Sequence, residues 1–108
     1  MTRRIVITPR ASRDIDELFE YIAQNNSDAA LRFFDAARQT FSQLARTPGL
    51  GRAYEMSKPE LKGLRRWKIK GFEKYIVFYR YSEDFLEIVR IIYAGRDLRS
   101  LLEDETDS

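Results

Sequence analysis

The stretch that decides the fold runs from Leu64 to Leu102. It opens L-R-R-W-K-I-K (64–70), G-F-E (71–73) and K-Y-I-V-F-Y-R-Y (74–81). It continues S-E-D (82–84), F-L-E-I-V-R-I-I-Y-A-G-R-D-L (85–98) and R-S-L-L (99–102). Three β-type runs are separated by two turn signals, so the spacing predicts an antiparallel meander. If Gly71–Glu73 and Ser82–Asp84 are three-residue hairpin loops, Lys70 pairs with Lys74 and Tyr81 with Phe85. Counting back with period two puts Trp67, Ile69, Tyr75, Val77, Val89 and Ile91 on one face. The opposite face collects Arg66, Lys68, Lys70, Arg80 and Arg90, mixed with Ile76, Phe78, Leu86 and Ile88. The first face is a core awaiting a cover. The second is basic and amphipathic, and its leftover apolar residues suit a protein partner.

The cover comes from upstream. Arg3–Thr8 reads as a short strand, and Thr8-Pro9 as a helix entry with Thr at the N-cap and Pro at the first position. Ile15, Leu18, Phe19 and Ile22 form one stripe. Asn25-Asn26 ends that helix, and Ser27-Asp28 signals a second N-cap. Ala30, Phe34, Ala37, Phe41 and Leu44 run down the second helix, with Phe33 widening the stripe. Small alanines opposite phenylalanines suit a close helical hairpin. Thr47-Pro48-Gly49 terminates it, and Leu50–Gly63 shows no period. Asp97–Leu102 reads as one helical turn. The expected class is therefore α+β: an N-terminal strand, a helical hairpin, a three-stranded antiparallel meander and a C-terminal turn. Residues 1–102 form a single domain, and 103–108 an acidic, disordered tail.

Composition narrows the chemistry. The 108 residues are 44% hydrophobic and 33% charged, as in an ordinary globular chain. The apolar runs are too short to span a membrane, and the N-terminus lacks the pattern of a signal peptide, so a cytoplasmic protein is expected. There is no cysteine and no histidine, which removes thiolate chemistry and the commonest general base and metal ligand. The net charge of +2 hides an asymmetry, because 103–108 holds four carboxylates and no cation. Between Lys58 and Arg80 stand eight cations against Glu60 and Glu73, a pattern that suits an acidic partner or nucleic acid. The plainer alternative is that these charges keep the fold in solution.

Three constellations carry possible chemistry. The cationic face with Trp67 and Phe78 fits single-stranded nucleic acid, cations tracking phosphates and rings stacking on bases; the alternative places both rings in the core. Arg80, Arg90, Arg96 and Tyr93 have the chemistry of a phosphate clamp with a proton donor. Asp14, Asp16, Glu17 and Glu20 line the first helix opposite its stripe, where a Mg²⁺ site competes with an ordinary solvated face. No phosphate-binding loop and no metal-ligand cluster is present, so neither metal nor cofactor is expected.

The residues also resemble a known family. G-L-R-R-W-K-I-K-G-F-E-K-Y-I-V-F-Y-R (63–80) and E-I-V-R-I-I-Y-A-G-R-D-L-R-S-L-L (87–102) resemble the RelE/ParE superfamily of type II toxin–antitoxin toxins, the ParE branch above all. T-P-R-A-S-R-D-I-D-E-L-F-E-Y-I-A (8–23) and D-A-A-L-R-F-F (28–34) agree with it. The likeness implies the same α+β fold and a toxin neutralised by a cognate ParD-like antitoxin whose C-terminal segment wraps it. A ParE-like member implies a DNA gyrase poison without catalysis; the basic-face residues Arg66, Lys68, Lys70, Arg80 and Arg90, with Arg96, are then the target-face candidates. A RelE-like member implies a metal-independent, ribosome-dependent mRNA endonuclease using Arg80, Arg90 and Tyr93. A third possibility is an inactive homologue that only binds antitoxin. One departure stands out: ParE-like chains commonly carry His where this chain has Tyr93.

Overall fold

The computed structural model describes residues 2–107. The first strand, β1 (Arg4–Ile7), leads into α1 (Pro9–Ala23) and α2 (Ser27–Arg46). A two-residue strand β2 (Arg52–Ala53) lies between short 3₁₀ turns at Pro48–Leu50 and Pro59–Leu61. Then come β3 (Arg65–Ile69), β4 (Phe72–Tyr81), β5 (Phe85–Tyr93) and α3 (Leu98–Asp107). The five strands form one sheet in the order β1-β5-β4-β3-β2. Only the β1–β5 pair is parallel. The expected class and meander are present, with β2 added from the stretch that shows no period.

Local chemistry sets the helix starts. Thr8 Oγ1 accepts from the Ala11 amide at 3.0 Å, and the same hydroxyl donates to the Val89 carbonyl at 3.0 Å. It therefore caps α1 and ties it to β5. The second cap is Asn26, whose Oδ1 accepts from Ala29 N at 3.0 Å. Ser27 and Asp28, expected as the cap, are already inside the helix, where Asp28 faces the positive end of the helix dipole. On α2 the two phenylalanines exchange their expected roles. Phe33 is fully buried, while Phe34 is 40% exposed and meets the rim ring of Phe19.

The meander keeps its predicted register where β3 and β4 run together, with Trp67 opposite Val77 and Lys68 opposite Ile76. The turn is tighter than expected. Ile69 pairs with Phe72, so the chain reverses at Lys70-Gly71 rather than over Gly71–Glu73. Gly71 takes φ +84°, a conformation that glycine adopts without a Cβ penalty. At the second loop Tyr81 pairs with Leu86, one residue beyond the expected Phe85. A bulge then restores the parity. Phe78 pairs with Arg90 and Tyr79 with Ile88, which leaves Val89 as the extra residue. The slip carries Leu86 and Ile88 onto the helix-covered face and Val89 onto the other one. Arg90 and Ile91, beyond the bulge, keep their expected faces.

Two cores result. The hairpin buries Ile15, Phe33, Ala37, Phe41 and Leu44 against Ile69, Val77, Tyr79, Leu86, Ile88 and Ile91. The second face, expected to stay partly open for a partner, is covered from within the chain. Leu61, Leu64 and Leu102 bury Ile76, Phe78 and Ile92. The single turn expected over Asp97–Leu102 is a ten-residue helix that carries the acidic segment on to Asp107. Ser108, the end of the expected tail, lies outside the described residues. Asp97 starts α3: its carboxylate accepts from the Ser100 hydroxyl at 2.9 Å and the Ser100 amide at 3.3 Å, which lowers its pKa below the usual range.

Tyr79 pins the loop after α2 to the sheet. Its hydroxyl donates to the Pro48 carbonyl at 2.6 Å and accepts from Gly51 N at 2.9 Å, in full burial. Burial pushes the phenol's pKa up, and the Gly51 hydrogen bond opposes that shift. Gly51 is glycine for space, since a Cβ there would sit 2.5 Å from this hydroxyl and 2.6 Å from the Arg66 carbonyl. Tyr79→Phe leaves two buried backbone groups without a partner. It should cost about 1–3 kcal/mol in urea unfolding, with the near-ultraviolet spectrum otherwise native.

Candidate functional site

The residues expected to share one face separate into distinct environments. Arg90 is buried at 5% exposure and fully engaged. Its Nε meets Asp14 Oδ2 at 2.8 Å and its Nη2 meets Asp14 Oδ1 at 3.1 Å, while Nη1 donates to the Leu101 carbonyl at 3.1 Å. Asp14 Oδ2 also accepts from the Ile91 amide at 3.0 Å. Beyond Ile7 the parallel partner of β5 has ended, and Asp14 on α1 takes over the hydrogen bonding of that sheet edge. Arg90 thus locks α1, β5 and α3 together and is not part of an open face.

Arg80 is also tied down. Its Nε meets Glu87 Oε1 at 2.5 Å across the strand pair, and its Nη1 donates to the Glu60 carbonyl. Tyr93 stands at the far end of β5, its ring 5.6 Å from that of Tyr75. It lines a cleft of about 540 Å³ with Leu18, Tyr21, Lys74, Tyr75 and Arg96. Burial raises the Tyr75 pKa, and the neighbouring phenols of Tyr21 and Tyr93 add to the shift. Glu87, opposite Arg80, and Tyr93 are six residues apart along one strand, a separation of about 20 Å. Arg80, Arg90 and Tyr93 therefore do not meet around a common reacting atom.

Arg66, Lys68 and Lys70 do come together. They line a cleft of about 710 Å³ with Arg52, Trp67 and Glu73 at the outer edge of β3. β2 pairs only with Arg65 and Arg66, so the edge from Trp67 to Ile69 has no strand beside it among the described residues. Arg96, at the other cleft, is separate from this group. Of the ring residues, Phe78 is core, and Trp67 is partly buried against the hairpin-side core.

The carboxylates of α1 do not form a metal site. Asp14 pairs with Arg90 and, at 3.6 Å, with Arg10; Glu17 Oε1 pairs with Arg10 at 3.4 Å, and Asp16 and Glu20 are exposed. No group of three or more potential ligands gathers among the described residues. No helix among them is long and apolar enough to cross a membrane.

One surface was not legible in the sequence. Ile5, Val6 and Ile7 of β1 are each about two-fifths exposed. The Arg4 and Thr8 amides donate to the carbonyls of Asp84, just before β5, and of Ile88 within it, so in a parallel pair the backbone groups of Ile5 and Ile7 point outward. An apolar, β-branched strand ordinarily signals core, and nothing in its composition shows that it lies at an edge. On the hairpin, Tyr21, Leu31 and Phe34 are exposed as well.

Comparison with known proteins agrees with this geometry. The family model described as "ParE toxin of type II toxin-antitoxin system, parDE" matches residues 5–98. A comparison with curated proteins finds no match. Among solved structures, the chain is similar to one from the "Chromosomal ParDE TA system from P. aeruginosa", with a TM-score of 0.66 and 17% identity. The match covers 85% of this chain and 96% of that one, and at this identity it speaks for the fold. With a family model spanning nearly its whole length and a sheet-and-hairpin fold to match, the chain belongs to the ParE toxin family of type II toxin–antitoxin systems.

Proposed function

We propose that this protein is the toxin of a type II pair that arrests growth by poisoning DNA gyrase, without catalysis of its own, and that a ParD-like antitoxin neutralises it. The observation that carries the non-catalytic reading is the dispersal of Arg80, Arg90 and Tyr93. Two of the three are committed to carboxylates, and Tyr93 lies at the opposite end of the sheet from Arg80. An RNA-cleaving site needs its acid, base and phosphate clamp within hydrogen-bond reach of one phosphate. The RelE-like reading has no such geometry in its favour.

The antitoxin has a suitable landing place. The outward backbone groups of Ile5 and Ile7 are a template for strand addition, and the apolar rim of Tyr21, Leu31 and Phe34 suits an amphipathic helix. Arg3 and Arg4 at the start of the edge favour an acidic flank on the incoming segment.

The test uses purified protein in a gyrase supercoiling and cleavage assay, and in parallel a translation reaction with toeprinting. Gyrase-dependent double-strand breaks are expected, with no codon-positioned cuts in mRNA. Expression without antitoxin should stop growth, and Tyr93→Phe should leave that toxicity within about twofold, since its ring and not its hydroxyl makes the Tyr75 contact. A loss of several orders of magnitude in Tyr93→Phe, with the fold preserved, would reverse the reading in favour of an mRNA endonuclease.

A further inference from the structure

The two edges of the sheet are chemically opposite. The β1 edge is apolar and open to another strand. At the β3 edge, Arg52, Lys68 and Lys70 are exposed and Arg66 half-buried, around one cleft. None of the four is in an ion pair among the described residues. Arg66 stacks its guanidinium on Tyr54 at 5.8 Å, which leaves its charge uncompensated. Among the described residues Glu73 is the one carboxylate in the cleft lining, its Oε2 accepting from the Gly71 amide at 2.8 Å, so a single negative charge stands against the four cations.

Cations on an edge strand discourage pairing with another strand. Four of them around one cleft do more, because they make a local positive field that attracts a regularly spaced anion. Arg66 and Lys68 project to the same side of β3, one step of roughly 6.6 Å apart, and Lys70 stands in the turn that follows, lining the same cleft. A linear polyanion lying along the edge meets one cation after another, whereas a compact acidic ligand meets one or two. The half-buried ring of Trp67 forms one wall of the cleft.

We infer that the β3 edge grips the phosphate backbone of DNA, so that the toxin touches the nucleic acid as well as the enzyme that holds it. The choice of DNA over RNA, and the role of the contact on a gyrase–DNA complex, rest on the gyrase reading; the grip on a phosphate backbone does not, and it is measured without gyrase. The probe is a fluorescently labelled 20-base-pair duplex, with a single strand of the same sequence and a ribo-oligonucleotide of the same length as parallel arms. Anisotropy titrations run from 50 to 200 mM salt.

Four phosphate contacts give a slope of roughly −3.6 in log affinity against log salt, a fall of roughly 100-fold across that range. The variant K68E/K70E should lose at least tenfold at the lowest salt, and R52Q/K68Q should flatten the slope by roughly two contacts. These side chains are outside both cores, so circular dichroism and melting of the variants should match the parent. Arms that differ between duplex and single strand tell which form of the backbone the edge accepts, and either form supports the assignment. Three results would overturn it: no binding at 50 mM salt, variants that keep the parent's affinity and slope, or a preference for RNA above tenfold. Loss of gyrase binding in K68E/K70E with naked DNA unbound would assign the edge to an acidic protein surface instead. Failure of the gyrase assay alone, with DNA binding intact, removes the proposed target and leaves this site standing.

Discussion

Replacing Asp14 by alanine should destabilise the protein by about 3–5 kcal/mol, the cost of leaving a buried charge without its partner. The substitution strips both bidentate contacts from Arg90 and the acceptor from the Ile91 amide at once. Among the described residues, the Leu101 carbonyl is the one acceptor left to Arg90. Urea unfolding at constant temperature measures the loss, with the slope against urea checked for two-state behaviour. The contrast lies in the double replacement Asp14→Leu with Arg90→Met. Removing both charges takes away the desolvation cost together with the attraction, so the double variant should recover much of what Asp14→Ala loses. A single-variant loss under about 1 kcal/mol would mean that water reaches the pair, as at an exposed ion pair. Since Arg90 also holds the Leu101 carbonyl, Asp14→Ala should raise amide exchange in α3 before the sheet itself opens.

Phe33→Ala should cost a further about 3–5 kcal/mol and Phe34→Ala under about 1 kcal/mol, although the two residues are adjacent and chemically identical. Phe33 has no exposed surface and packs edge-on against Phe72 at 5.4 Å and Tyr75 at 5.2 Å. Its loss opens a cavity between α2 and the start of β4, where the surrounding rings cannot collapse fully. Phe34 touches the Phe19 ring at 6.4 Å from a largely solvated position. Thermal and urea melts of the two variants side by side decide the matter. If the antitoxin covers the hairpin rim, Phe34→Ala should weaken that complex while the free protein melts normally, which separates a binding residue from a packing one.

The sequence was informative wherever the deciding interaction is local. Thr8-Pro9 marks the start of α1 because cap and first-turn chemistry lie within three residues. The β3–β4 register follows from period two over a short connection, and a tighter turn at Lys70-Gly71 changes it only at the last pair. The bulge at Val89 is a different matter, because it is set by how β5 fits against both β1 and β4. One unpaired residue there sends Leu86 and Ile88 to the opposite face. The choice between Phe33 and Phe34 is likewise tertiary, since both fall within the width of a helical stripe. Arg90 reads as a free cation in the sequence because its partner is 76 residues away. Arg66, Lys68 and Lys70 are the candidates that the structure does bring together, and their proximity in the chain is the reason they could be grouped.

The outer side of β1 gives the free protein a problem of dosage. Ile5, Val6 and Ile7 offer a short adhesive strip that a second copy, an unfolding neighbour or a nascent chain can meet. Encounters between copies rise with the square of concentration, while action on a scarce target does not. Crowding the free protein therefore favours self-association along this strip. A partner strand laid along that strip would do more than silence the molecule: it would preserve it, storing a toxin in soluble form until the partner is removed.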